Sequence, residues 1–273
     1  MPQNRPLEGM AVGISISEAE DLASTGFTSD DINFVTVELC RRLVALGAQV
    51  VLGHQWRPGG IMEQVTRFAQ AYHMESGASE QPIVHNVMAW PDKASLSKDD
   101  QKQLESLVRI YELEEPRAEA EQSLKRAKAL TEMRQHITRL AKARICLSGK
   151  MKSHEGSIPG VIEEAFLSIN EGQPVYLSAM MGGAAAALVD CIRGQREIGS
   201  LFPEGALVPI EIPSFFDSNP HQRYEAIAKL CRLYPDELEQ LFNAQNLDTI
   251  IQLSTRGMSR LNGMLQDWEP NRF

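Results

Sequence analysis

Two adjacent acids, Glu163 and Glu164, follow the Gly/Pro-rich run GSIPG at residues 156–160. Carboxylates at the end of such a loop suit two chemistries. They can accept hydrogen bonds from sugar hydroxyls, or they can stabilise a cationic state as a glycosidic bond breaks. Helix geometry separates neighbouring residues by about 100°, so one acid should face a ligand while the other caps the helix or faces solvent. The loop adds Lys150 as a cation, His154 as a ligand candidate, Ser157 as a helix cap and Gly160 as a point of close approach. Further along, Gly182 and Gly183 offer a second bare helix start, where free N–H groups favour an anion. Ser15, Ser17 and Glu18 follow the end of an early apolar run and supply hydroxyls and an acceptor. His54 closes a second such run, and a structural role for it competes with ligand contact.

These residues need a frame that brings them together. Short apolar, β-branched runs at 9–15, 48–54, 82–90, 144–150 and 173–181 read as buried strands. Between them, residues 29–47, 59–72, 157–171 and 182–194 carry helical spacing, with Ser29 as the cap of the first helix and Gly47 as its stop. The alternation predicts an α/β fold with a doubly wound, mostly parallel sheet, Rossmann-like, in spatial order 3-2-1-4-5. Residues 96–142 interrupt it. Leu104, Leu107, Val108 and Tyr111 form one helical stripe, and Leu124 through Leu140 form another, so an inserted helical hairpin is expected, either a cover for the sheet or a dimer surface. The tail reads as a helical extension, which divides the chain into a domain over 1–217 and an extension over 218–273.

In a sheet of that order the ligand crevice lies beyond the carboxyl ends of the first and fourth strands. That rule gathers residues 15–18, 149–164 and 180–184 into one site. Neither GxGxxG after the first strand nor GxxxxGK[ST] occurs, so an ordinary nicotinamide dehydrogenase or P-loop site is excluded. No GxSxG elbow is present, and the histidines have no metal-ligand spacing, so no metal and no cofactor are expected.

Composition narrows the partners. The 273 residues carry a net charge of −9, which disfavours extended nucleic-acid binding. No apolar run is long enough to cross a bilayer, the N-terminus lacks a signal pattern, and four widely spaced cysteines suit reduced core thiols. A cytoplasmic location without membrane contact is the expectation.

The segments GISISEAEDL, LGH and GSIPGVIEEAFLSINEGQPVYLSAMMGG together resemble the SLOG superfamily over roughly residues 8–215. That group of Rossmann-like domains includes the Lonely Guy phosphoribohydrolases, DprA-type proteins and sensor domains of TIR-linked bacterial defence systems. The resemblance is strongest to the stand-alone or TIR-associated bacterial branch. Lonely Guy enzymes carry a PGGxGTxxE loop. Gly160 and Glu164 match its later Gly and its Glu, whereas SIP stands for the PGG and Val161 for the Thr. The resemblance therefore implies a nucleotide-type ligand such as ADP-ribose or cyclic ADP-ribose, with phosphate on the loop and sugar on one acid. An effector protein encoded nearby is expected as well, and the amphipathic 96–142 segment, too large for a simple connection, leads to the expectation of a homo-oligomer. The alternative is an N-glycosidic hydrolase of NAD or a nucleoside monophosphate, with Glu164 as its catalytic acid.

Overall fold

The computed structural model describes residues 5–57, 59–76, 81–117, 122–204, 206 and 208–263. Along the chain, β1 (Ala11–Ser17) leads through a short 3-10 turn to α1 (Ser29–Ala45), β2 (Gln49–Leu52), α2 (Ile61–Ser76) and β3 (Val84–Met88). Then come α3 (Lys98–Leu104), β4 (Val108–Glu112), α4 (Gln122–Leu140) and β5 (Ala143–Ser148). The remainder is α5 (Gly160–Asn170), β6 (Val175–Ser178), α6 (Gly183–Ile192), α7 (Pro220–Cys231), α8 (Pro235–Phe242) and α9 (Leu247–Leu261).

The strands form one parallel sheet in the order β4-β3-β2-β1-β5-β6. The chain winds outward from β1 to β4 and then returns to lay β5 against the other side of β1, in register from Val12↔Ala143 to Ser17↔Ser148. The doubly wound α/β fold read from the sequence is present, and its switch point lies between β1 and β5. Strands β1, β3 and β5 are buried on both faces because helices cover both. One cluster, with Ile14, Ile16, Leu39, Val50, Ile145 and Leu188, fills one side of the sheet. A second, with Ala11, Val51, Val87, Met133 and Ile137, lies under α4 on the other.

The structure corrects the reading of 96–142. Val108–Glu112 is not part of a helix but a sixth strand, hydrogen-bonded to β3. The sequence VRIYE is rich in β-branched and aromatic residues, and β3 offered an unpaired edge. The same residues also fit a 3.6-residue spacing over so short a run, which is why periodicity alone misassigned them. The segment is therefore helix–strand–helix, and α4 is the long crossover that returns the chain to β5. Residues 118–121 of that segment lie outside those described.

Two caps also differ from expectation. Thr28, not Ser29, caps α1 through a box with Asp31. Pro159 stands at the cap of α5, which has no side-chain cap at all, so Ser157 does not fill that role. Helices α7–α9 add Ile227, Phe242, Ile250 and Met258 to the first cluster. They are also pinned to the strand end of β6, where Ala179 N–H donates to Phe242 O at 3.1 Å. The last ten residues of the tail, 264–273, lie outside those described.

Candidate functional site at the switch point

Alternation along β1 sends Ile14 and Ile16 into the first core and Ser15 to the opposite face. There it meets Arg144, the second residue of β5, which is buried with no exposed surface. A guanidinium withdrawn from water must have its donors satisfied. Arg144 Nε donates to Ser168 on α5 at 2.7 Å, and Nη2 donates to Thr138 on α4 at 3.0 Å. Its Nη1 donates to Ser15 at 2.8 Å and to Glu164 at 3.0 Å. Ser15 in turn donates to the same Glu164 oxygen. The acid that matched the sequence motif is thus anchored to the two strands flanking the switch point.

The neighbouring acid is held differently. Glu163 is wholly buried, and its carboxylate pairs with Arg134 of α4. That arginine explains two of the loop's glycines. A Cβ built on Gly156 or on Gly160 would lie 2.7 Å from the Arg134 guanidinium. The bare backbone lets the protein's own cation approach. Both acids therefore face inward on this side of the sheet, against the expectation that one of them would cap the helix or face solvent.

Three buried polar atoms around this cluster have no hydrogen-bond partner among the described residues: Glu163 Oε1, Ser148 Oγ and Arg134 Nε, the last of which lies 4.0 Å from Glu164 Oε1. Ser148 ends β5 in a left-handed conformation, with φ of 53°, which is strained for a residue with a side chain. Unmet hydrogen-bonding capacity at the carboxyl end of the switch strands is what a site awaiting polar ligand atoms or ordered water presents. His54 lies close enough to feel the Glu164 charge. Burial lowers its pKa and Glu164 acts in the opposite sense, with the net effect of favouring neutral imidazole.

Across the sheet, the loop after β1 turns its own acids onto backbone donors. Asp21 accepts from Gly183 N–H at 3.0 Å and so fills the start of α6. Gly183 itself has φ of 63°, and any Cβ there would strike Gly149 O at 2.3 Å. Glu20 accepts from the N–H groups of Met151 and Lys152 at 3.0 and 2.8 Å. Burial works against the Glu20 carboxylate, but those N–H groups and the Lys150 charge bring its pKa below the ordinary value. A cleft of about 770 Å³ lies in front of these acids and reaches Phe202 and Asp190.

The predicted residues therefore divide. Ser15, His54, Gly160, Glu163 and Glu164 come together on the α4–α5 side. His154 and Gly183 line the larger cleft, and Gly182 adjoins it. His154 is tied to its own loop through Gly156 O at 2.8 Å. Ser17 and Ser157 are half-buried, and Glu18 and Lys150 are exposed. Sequence reasoning missed Arg134, Arg144, Glu20 and Asp21. Two of these carried a signal: Arg144 interrupts the buried strand ARICLS, and Arg134 falls on the apolar stripe between Leu130 and Ile137. A charge in either place requires a buried partner.

Among the described residues, no group of His, Cys, Asp and Glu could hold a metal ion, and no helix is long and apolar enough to cross a membrane.

A doubly wound parallel sheet with its switch point between β1 and β5 defines a Rossmann-like α/β domain. A search among curated proteins gave no match. The family model described as SLOG cluster2 matches residues 6–272, almost the whole length, and the chain belongs to that family.

Proposed function

We propose that this protein binds a nucleotide-derived ligand of the ADP-ribose or cyclic ADP-ribose type as the sensing part of a bacterial signalling or defence system. The observation that carries this reading is the fixation of Glu164 by Ser15 and Arg144 beside the uncapped start of α5. A carboxylate in an ion pair accepts hydrogen bonds and donates none. It is suited to hold ribose hydroxyls, while the open N–H groups of the first turn of α5 suit a phosphate. The start of α6 suits it less, because Asp21 already occupies that position. Calorimetry with ADP-ribose, NAD, AMP and cyclic nucleotides tests the reading. Binding of at least one in the micromolar range is expected, and no binding at millimolar concentration by any of them would remove it.

A second reading, hydrolysis of an N-glycosidic bond, draws support from His54. A neutral imidazole near an acid could activate water. Against it stands the commitment of both acids to arginines, which leaves neither as a free nucleophile. The same proposal includes a cytoplasmic homo-oligomer that passes its signal to a separate effector protein.

A further inference from the structure

Beside His54 lies a chamber of about 150 Å³, between the carboxyl ends of β2 and β3 and the inner face of α4. Met88, Ala89, Leu130 and Met133 form apolar walls, and Asp92 joins His54 as a polar group of the lining. By liquid volume the space equals about five waters, enough for one planar heterocycle and too little for a whole nucleotide. Asp92 accepts from Arg126 at 2.9 Å and from Gln55 at 3.1 Å, both through Oδ2, which leaves Oδ1 without a partner among the described residues. Arg126 also donates to Trp90 O at 2.8 Å and to Glu155 of the glycine loop at 2.9 Å. The Asp92 charge is thereby balanced and its position fixed relative to that loop. His54 makes no hydrogen bond or ion pair with the described residues, and the charge of Glu164, the proposed sugar acceptor, reaches it.

We propose that this chamber reads the base of the ligand, and that it selects a base with an exocyclic amine beside an unprotonated ring nitrogen, adenine above all. The amine donates to Asp92 Oδ1, the ring nitrogen accepts from the His54 N–H, and the apolar walls cover the faces of the ring. Hypoxanthine carries a carbonyl where adenine carries the amine, so its oxygen would oppose a carboxylate oxygen and leave that acceptor unmet. A site built to receive an N–H rejects the analogue that lacks it much more strongly than an apolar wall rejects a change of size. The inference rests on the nucleotide-binding reading above and extends it to the base.

The test compares AMP, IMP and ribose 5-phosphate by calorimetry on the intact protein and on two variants checked for folding by thermal unfolding. The wild type should prefer AMP to IMP by at least about tenfold. Asp92→Ala should reduce that preference to under about threefold. Ala89→Leu adds carbons to the chamber wall and should weaken AMP at least about tenfold, with ribose 5-phosphate unchanged. Equal affinity of the wild type for AMP and IMP, or unaltered AMP binding by Ala89→Leu, overturns the base chamber and leaves nucleotide binding standing. Failure of AMP, IMP and ribose 5-phosphate to bind overturns the base chamber, and failure of ADP-ribose, NAD and cyclic nucleotides as well overturns both.

Discussion

Replacing Arg144 with Met tests the physical core of the crevice before any ligand is known. Methionine keeps much of the volume and removes the guanidinium that serves Ser15, Glu164, Ser168 and Thr138. Thr138 keeps its own bond to Arg134 O at 2.9 Å, so most of the cost falls on Glu164, whose side chain is only 13% exposed. Removing one partner of a buried ion pair costs about 3–5 kcal/mol, because the other charge is left uncompensated. At about 2–4 °C per kcal/mol for a chain of this size, the melting temperature should fall by about 10 °C. Urea denaturation should show the same loss in its midpoint with an unchanged slope. Adding Glu164→Gln removes the orphaned charge, so the double variant should be more stable than the sum of the two single losses predicts. A single-variant loss below about 1 kcal/mol, or strict additivity in the double, would refute the coupling described here.

Other expectations follow from individual contacts. Burial first, and the Arg109 charge second, push His85 down from 6.5 to about 4. The unfolded chain therefore binds the proton that the folded one refuses, and stability should fall as pH drops from about 6.5 towards 4. Urea midpoints across that window should flatten in His85→Gln, and an unchanged slope would contradict the assignment. Gly160→Ala should cost about 1–3 kcal/mol, since its Cβ meets the Arg134 guanidinium at 2.7 Å. A neutral outcome in thermal unfolding would mean that the arginine gives way. Sedimentation velocity should find a species heavier than the 30.4 kDa monomer. A monomer at tens of micromolar would end the proposal of self-association.

The doubly wound fold was legible because its strands are short, apolar runs separated by amphipathic helices, and because the switch-point rule then fixes the location of a crevice. Ser15 and Glu164 could be gathered into that crevice from the strand ends that bound it, and the structure joins them by a hydrogen bond. What periodicity could not resolve was VRIYE, where five residues satisfy both a strand and a helical stripe, and only the open edge of β3 decides. The arginines were hidden for another reason. Arg134 and Arg144 come from a crossover helix and a strand interior, and motif reading examines loops. Their acidic partners, Glu163 for Arg134 and Glu164 for Arg144, are 29 and 20 positions away in sequence, so their meaning depends on tertiary packing. The self-capping of α6 by Asp21 spans 162 positions and had no local signal.

The central claim is that Glu164 holds a nucleotide's sugar without breaking its glycosidic bond. It is tested most directly by titrating wild type and Glu164→Gln with ADP-ribose, NAD and AMP while chromatography follows release of free nicotinamide or adenine. Glutamine keeps an oxygen for Arg144 and Ser15 but loses the charge, so affinity should fall by about 1–3 kcal/mol, or roughly tenfold to a hundredfold. Neither form should release base. Release by the wild type that disappears in Glu164→Gln, with binding retained, would make the protein a hydrolase and contradict the account.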